Sequence, residues 1–185
     1  MGPNYPGSVV ERGGRSARAF FDGLFFGTNG LLLMQVREIT GLETPVIQNW
    51  INREWVPRPV KKRYGPEHLG RILLINALRS CTRLEDLARL LRYINGDTND
   101  RGDDIISDNA LYIALCEVIE QTEEGTAEDE AISAAIDRTG LDAEYHDQLF
   151  RGMRVLLQYY RASAAKAQAD ALLEALPHYA GKIRE

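Results

Sequence analysis

The chain has 185 residues, 44% of them hydrophobic, and 27 acidic against 22 basic side chains give it a formal net charge of −5. That apolar share is enough to pack one substantial domain or two small ones. No apolar run approaches the roughly eighteen residues of a membrane span, and residues 1–18, MGPNYPGSVVERGGRSAR, have no apolar centre of the kind a signal peptide carries. The expected location is therefore the cytoplasm.

In chain order, residues 1–18 mix Gly, Pro and Arg and are expected to form a disordered lead. Residues 19–26, AFFDGLFF, are aromatic-rich and short, and the GTNG after them breaks the pattern. A small helix packed on the next element is expected there, an exposed partner groove being the alternative.

Residues 35–64, QVREITGLETPVIQNWINREWVPRPVKKRY, state a job most plainly. Gly41 can take the positive φ that ends a first helix over residues 32–40. Thr44 can cap a second helix, and Pro45 suits its first position. Ile47, Trp50 and Ile51 then form an inward stripe at helical spacing, while Gln48, Asn49, Asn52 and Arg53 gather on the other side. Amides and guanidinium are the groups that reach base edges in a major groove. Ordinary solvation of an amphipathic helix gives the same polar face.

Pro57 and Pro59 favour extended backbone after that helix, and Lys61, Lys62 and Arg63 follow as a cluster. The segment reads as a short basic wing whose Arg58, Lys61, Lys62 and Arg63 suit phosphate contacts. A charged edge that discourages strand pairing fits the same residues. Two more amphipathic helices follow, over residues 66–80 and 83–95. His68 and Arg71 are expected to face outward beside the wing, with Arg71 adding a phosphate contact and His68 solvated.

Charge then changes sign. Residues 1–96 hold 14 basic and 8 acidic side chains, residues 97–147 hold 2 and 16, and residues 148–185 hold 6 and 3. A positive head is thus joined to a strongly negative middle, and the weak overall charge does not exclude DNA. Residues 97–108, DTNDRGDDIISD, place Asp97, Asn99, Gly102 and Asp108 at four positions of a calcium-loop template, but Arg101 and Asp104 break it. A turn followed by a cap from Ser107 or Asp108 accounts for them better. Helices are expected over residues 109–121, 128–138 and 143–176, the last large-apolar and then alanine-rich. A frayed tail, residues 177–185, ends the chain. Cys81 and Cys116 lie in apolar patterns and read as reduced, buried thiols. No metal-ligand set, cofactor loop or nucleophile with its base is present, so neither an enzyme nor a cofactor protein is expected.

The residues GLETPVIQNWINREWVPRPVKKRYGPEHLGRILLINALRS, together with LLRYINGDTNDRGDDIISDNALY, resemble a bacterial family of unknown function, domain of unknown function 1836, over residues 30–112. The helix-turn-helix, wing and two following helices also resemble the winged DNA-binding domain of the MerR regulators, although Gln48 stands where those regulators usually carry Arg. The MerR likeness implies a mostly α fold, a MerR-like winged helix-turn-helix over residues 19–96, followed by an all-helical C-terminal region over residues 97–176. It further implies a homodimer paired through the long C-terminal helix, the alternative being that this helix covers the core of its own chain, since no strict heptad persists along it. The function expected is a bacterial transcriptional regulator that binds double-stranded DNA. The alternative is a protein-interaction module that keeps the scaffold and binds a partner through its acidic half or its aromatic segment.

Overall fold

The computed structural model describes residues 3–96 and 104–177. Among them are eight helices: α1 (Ala17–Phe25), α2 (Leu33–Thr40), α3 (Thr44–Asn52), α4 (Pro66–Leu78), α5 (Leu84–Asn95), α6 (Asp108–Glu123), α7 (Glu128–Asp137) and α8 (His146–Glu174), the last preceded by a 3-10 turn at Ala143–Tyr145. The fold is mostly helical, and the described residues contain isolated β-bridges but no strand. No helix among them is long and apolar enough to cross a membrane.

Helix limits follow local chemistry. Ser16 caps α1 by accepting the Ala19 N–H. Gln35 Oε1 takes the Leu32 N–H at 2.8 Å where α2 starts, and Gly41 at φ 68° ends it, its N–H on the Arg37 carbonyl. The cap of α3 differs from expectation. Glu43, not Thr44, is the flanking residue, with no side-chain cap bond; the turn through buried Leu42 leaves Thr44 already helical, and the Glu43 carboxylate pairs with Arg37 at 2.8 Å. Pro45 does fall in the first turn.

α4 is the axis of the molecule. Leu69, Ile72, Leu73, Leu74, Ile75 and Leu78 are all buried, so the helix is covered on every side rather than along one stripe. Its most extensive packing is with α6, whose Leu111, Leu115, Val118 and Ile119 are buried. Gly70 permits the close approach, since a Cβ there would lie 2.6 Å from the Asn109 Cα. α7 and α8 complete the layer over α6, and α5 packs on α8. One continuous apolar cluster runs from Tyr5 to Leu157. The expected division between residues 96 and 97 is therefore not a division of the core: α4 from one side and α6 from the other form its centre.

The expected disordered lead is instead anchored on the core through Tyr5 and Pro6. Tyr5 is buried, stacked on Phe20 with ring centroids 4.3 Å apart, and its hydroxyl donates to the Arg15 carbonyl. Asn76 Nδ2 donates to the Gly7 carbonyl at 2.7 Å, and the Tyr112 hydroxyl to the Pro6 carbonyl at 2.8 Å. Burying an aromatic ring and satisfying these carbonyls offsets the ordering entropy that Gly and Pro content alone had suggested would win. The aromatic segment also packs elsewhere than expected: α1 lies on α6, Phe21 meeting Tyr112, while Phe26 stays exposed.

At the other end, Ser163 is the last buried position of α8, and residues 164–177 are exposed, Leu172, Leu173 and Leu176 among them. Residues 97–103, most of the calcium-loop-like stretch, and residues 178–185 of the expected frayed tail lie outside the described residues.

Candidate nucleic-acid interface

The two faces of α3 divide as the spacing predicts. Ile47 and Trp50 are buried and Ile51 is half-buried, while Gln48, Asn49, Asn52 and Arg53 are exposed. The Arg53 guanidinium lies 5.1 Å from the Trp55 ring centroid and 3.6 Å from Glu85 Oε1 of α5. The chain then folds back on itself: the N–H groups of Trp55 and Val56 both bond to the Trp50 carbonyl, and Val56 is buried.

The basic segment differs from the expected wing. Val60 and Arg63 form a single bridge around Lys61 and Lys62, whose φ angles are 50° and 63°. Positive φ at both central residues is the signature of a two-residue type I′ turn. Pro57 and Pro59 lack N–H donors, so the ladder cannot extend past that bridge into strands. The turn is pinned at its base by two bonds between Leu31 and Tyr64, 2.8 and 2.9 Å, and by Arg63 donating to the Gly30 carbonyl. Arg58, Lys61, Lys62 and Arg63 are all exposed. Lys61 and Arg63 line a shallow cleft with Asn29, Glu67 and the start of α4.

Arg71 and His68 do not face outward. Each is only 3% exposed, because every side of α4 is covered. Arg71 Nη1 meets Asp108 Oδ1 at 3.0 Å, and its Nε donates to the Trp55 carbonyl at 3.1 Å. Arg71 therefore cannot reach a phosphate. His68 accepts the Gly65 N–H on Nδ1 at 3.1 Å, so its Nε2 carries the proton and donates to the Arg58 carbonyl at 3.2 Å. Burial raises the Asp108 carboxyl above its ordinary range and Glu67 adds to this, against the pull of Arg71 and Asn95. Asp108 does not cap α6, because it is already the helix's first residue and its carboxylate is held by Arg71; Ser107 flanks that helix without a side-chain cap bond.

His68, Arg71, Trp55 and Asp108 thus form a polar support beneath the exposed residues. The sequence carried only a partial signal: Arg71 has Leu74 and Ile75 one turn ahead, but Glu67 and His68 one turn behind give it the look of a polar face. Among the described residues no group of three or more His, Cys, Asp or Glu is placed to hold a metal ion. Cys116 is buried and Cys81 partly so, and both are free thiols.

Residues 28–115 match the model of a family described as a domain of unknown function (DUF1836), in keeping with the likeness read over residues 30–112. The uncharacterized protein YkrK of Bacillus subtilis (strain 168) is 30% identical over 87 residues, 45% of this chain and 37% of that protein. The chain thus covers little more than a third of that relative's length. No solved structure matches the chain. The family match takes in α2 to α5 and the first half of α6, and so contains α3, the basic turn and both partners of the Arg71–Asp108 pair.

Proposed function

We propose that the protein binds double-stranded DNA and acts as a bacterial transcriptional regulator. In this reading Gln48, Asn49, Asn52 and Arg53 address base edges from α3, and Arg58, Lys61, Lys62 and Arg63 hold phosphates. The observation that carries the reading is one of sequence and exposure together. An amide-and-guanidinium helix face is followed within a few residues by four exposed cations, Arg58 and the three of the pinned turn, while the opposite helix face packs into the core. The MerR-like part of the reading rests on the order of helix, turn, helix and basic segment, and the turn takes the place of a strand-built wing.

A second copy completes the proposed assembly. The exposed end of α8, with Leu172 and Leu173 among alanines and Leu176 just beyond it, is the segment on which two chains would pair. Sedimentation equilibrium is then expected to return twice the chain mass, and a single-chain mass at every concentration contradicts it.

Selection from a pool of random duplexes tests the central reading. The native protein is expected to enrich a sequence, and Gln48→Ala/Asn52→Ala to lose the preference while retaining most non-selective binding. Enrichment that persists in the variant removes the base-reading role from this face. If no duplex is retained, a protein partner takes the place of DNA.

A further inference from the structure

α4 carries two buried polar side chains, His68 and Arg71, three positions apart, and each ends on a carbonyl of the cation-bearing loop. His68 holds the Arg58 carbonyl and Arg71 the Trp55 carbonyl. The other branch of Arg71 reaches Asp108, where α6 begins, 37 positions further along the chain. Trp55 in turn supplies the ring over which the Arg53 guanidinium lies. Asp108 is itself held in place, because Gly70 brings the α4 backbone against the first residues of α6.

We infer that Asp108 is a positioning residue for the DNA-contacting surface, acting through Arg71 on the Trp55 carbonyl and so on Arg53 and the path toward Arg58. The inference rests on the DNA reading above for its purpose, though not for its geometry. An apolar pair of similar volume fills such a space as well as a buried ion pair does, so packing alone does not call for these charges. The Trp55 carbonyl does: it takes a donor, and the forked guanidinium of Arg71 supplies one while its other branch meets Asp108. The role read into Arg71 from sequence, a direct phosphate contact, is thereby replaced by an indirect one.

Two variants of the full chain test this. Asp108→Asn removes the carboxylate charge that Arg71 Nη1 meets at 3.0 Å. Arg71→Met/Asp108→Leu removes both charges, keeps the volume and protects the measurement against simple misfolding. Hydrogen exchange without DNA reads the amides of Trp55 and Val56, with Leu115 and Val118 of α6 as internal controls. Fluorescence anisotropy reads binding to a labelled random-sequence duplex. In both variants, exchange at Trp55 and Val56 is expected to rise about tenfold with the α6 controls unchanged, and DNA affinity to fall by about the same factor. Unchanged exchange at Trp55 and Val56, or a rise in step with the α6 amides, overturns the positioning role. A native protein that binds no duplex overturns the DNA reading instead, whatever the exchange shows, so the two failures are told apart.

Discussion

Lys61 and Lys62 stand side by side with φ angles of 50° and 63°, two long cationic side chains at the pair of turn positions that Asn-Gly fills most easily. A non-glycine residue in the left-handed region costs about 1 kcal/mol or more, so this turn is less stable than its geometry permits. Lys61→Asn/Lys62→Gly is expected to raise stability by about 1–2 kcal/mol, seen as a higher urea midpoint. The same variant is expected to bind duplex DNA more weakly, with a salt slope reduced by about two. Greater stability with undiminished binding contradicts a role for these lysines on phosphate.

Glu85 sits 3.6 Å from Arg53, at the edge of the proposed reading face, and both side chains are largely exposed. Glu85→Gln is expected to change stability by no more than about 0.5 kcal/mol, as an exposed pair contributes little. DNA affinity at low salt is expected to rise about twofold to fivefold, because a carboxylate no longer competes for Arg53 or repels phosphate, and the gain should fade at high salt. An affinity that falls places Glu85 on the binding side instead.

Gly70 and Gly152 separate two kinds of close packing. A Cβ on Gly70 meets backbone, the Asn109 Cα at 2.6 Å and N at 2.7 Å, whereas on Gly152 it meets the tip of the Ile94 side chain. Gly70→Ala is expected to cost about 1–3 kcal/mol by prising α4 from α6. Gly152→Ala costs less, because a side chain yields more readily than a main chain. Thermal denaturation of the two variants ranks them, and the reverse order contradicts this view of the α4–α6 contact.

Alkaline pH should unfold the protein through its centre. Burial pushes the Cys116 thiol up to about 12 from an ordinary 9.0, holds the Tyr112 phenol well above 10.0, and lifts Tyr160 to about 12, with Glu123 adding to it. These groups stay protonated in the fold at pH values where the unfolded chain ionises. Their contribution to stability is therefore intact below about pH 9 and lost as pH rises toward 12, at up to about 1.4 kcal/mol per pH unit for Cys116. Urea midpoints at about pH 8 and about pH 10.5 check the sign, and Cys116→Ala is expected to flatten the fall. Equal midpoints in the native protein contradict the burial argument.

The helices were legible because their limits are local. Gly41 and Pro66 act within a residue or two of where they stand, and the stripe of Ile47 and Trp50 needs only helical spacing. What escaped the sequence was set by distant partners. Arg71 and His68 look like solvated polar residues until α6 and the Trp55–Arg58 carbonyls are placed around α4, and Asp108 is too far along the chain for spacing to join it to Arg71. Tyr5 was hidden among Gly and Pro in the same way, its partner Phe20 lying beyond the stretch read as a disordered lead. The basic cluster was legible as charge, but its tight turn was not, because two lysines are poor predictors of left-handed backbone.

Whether the basic turn holds a duplex is decided by fluorescence anisotropy across a salt series, for the native protein and for Lys61→Ala/Lys62→Ala/Arg63→Ala. The native protein is expected to bind, with affinity falling steeply as salt rises, and the triple variant to bind more weakly with a slope smaller by up to about three. Binding with the same affinity and slope in both proteins would contradict the phosphate role of the turn, and no binding by the native protein at low salt would contradict the DNA reading itself.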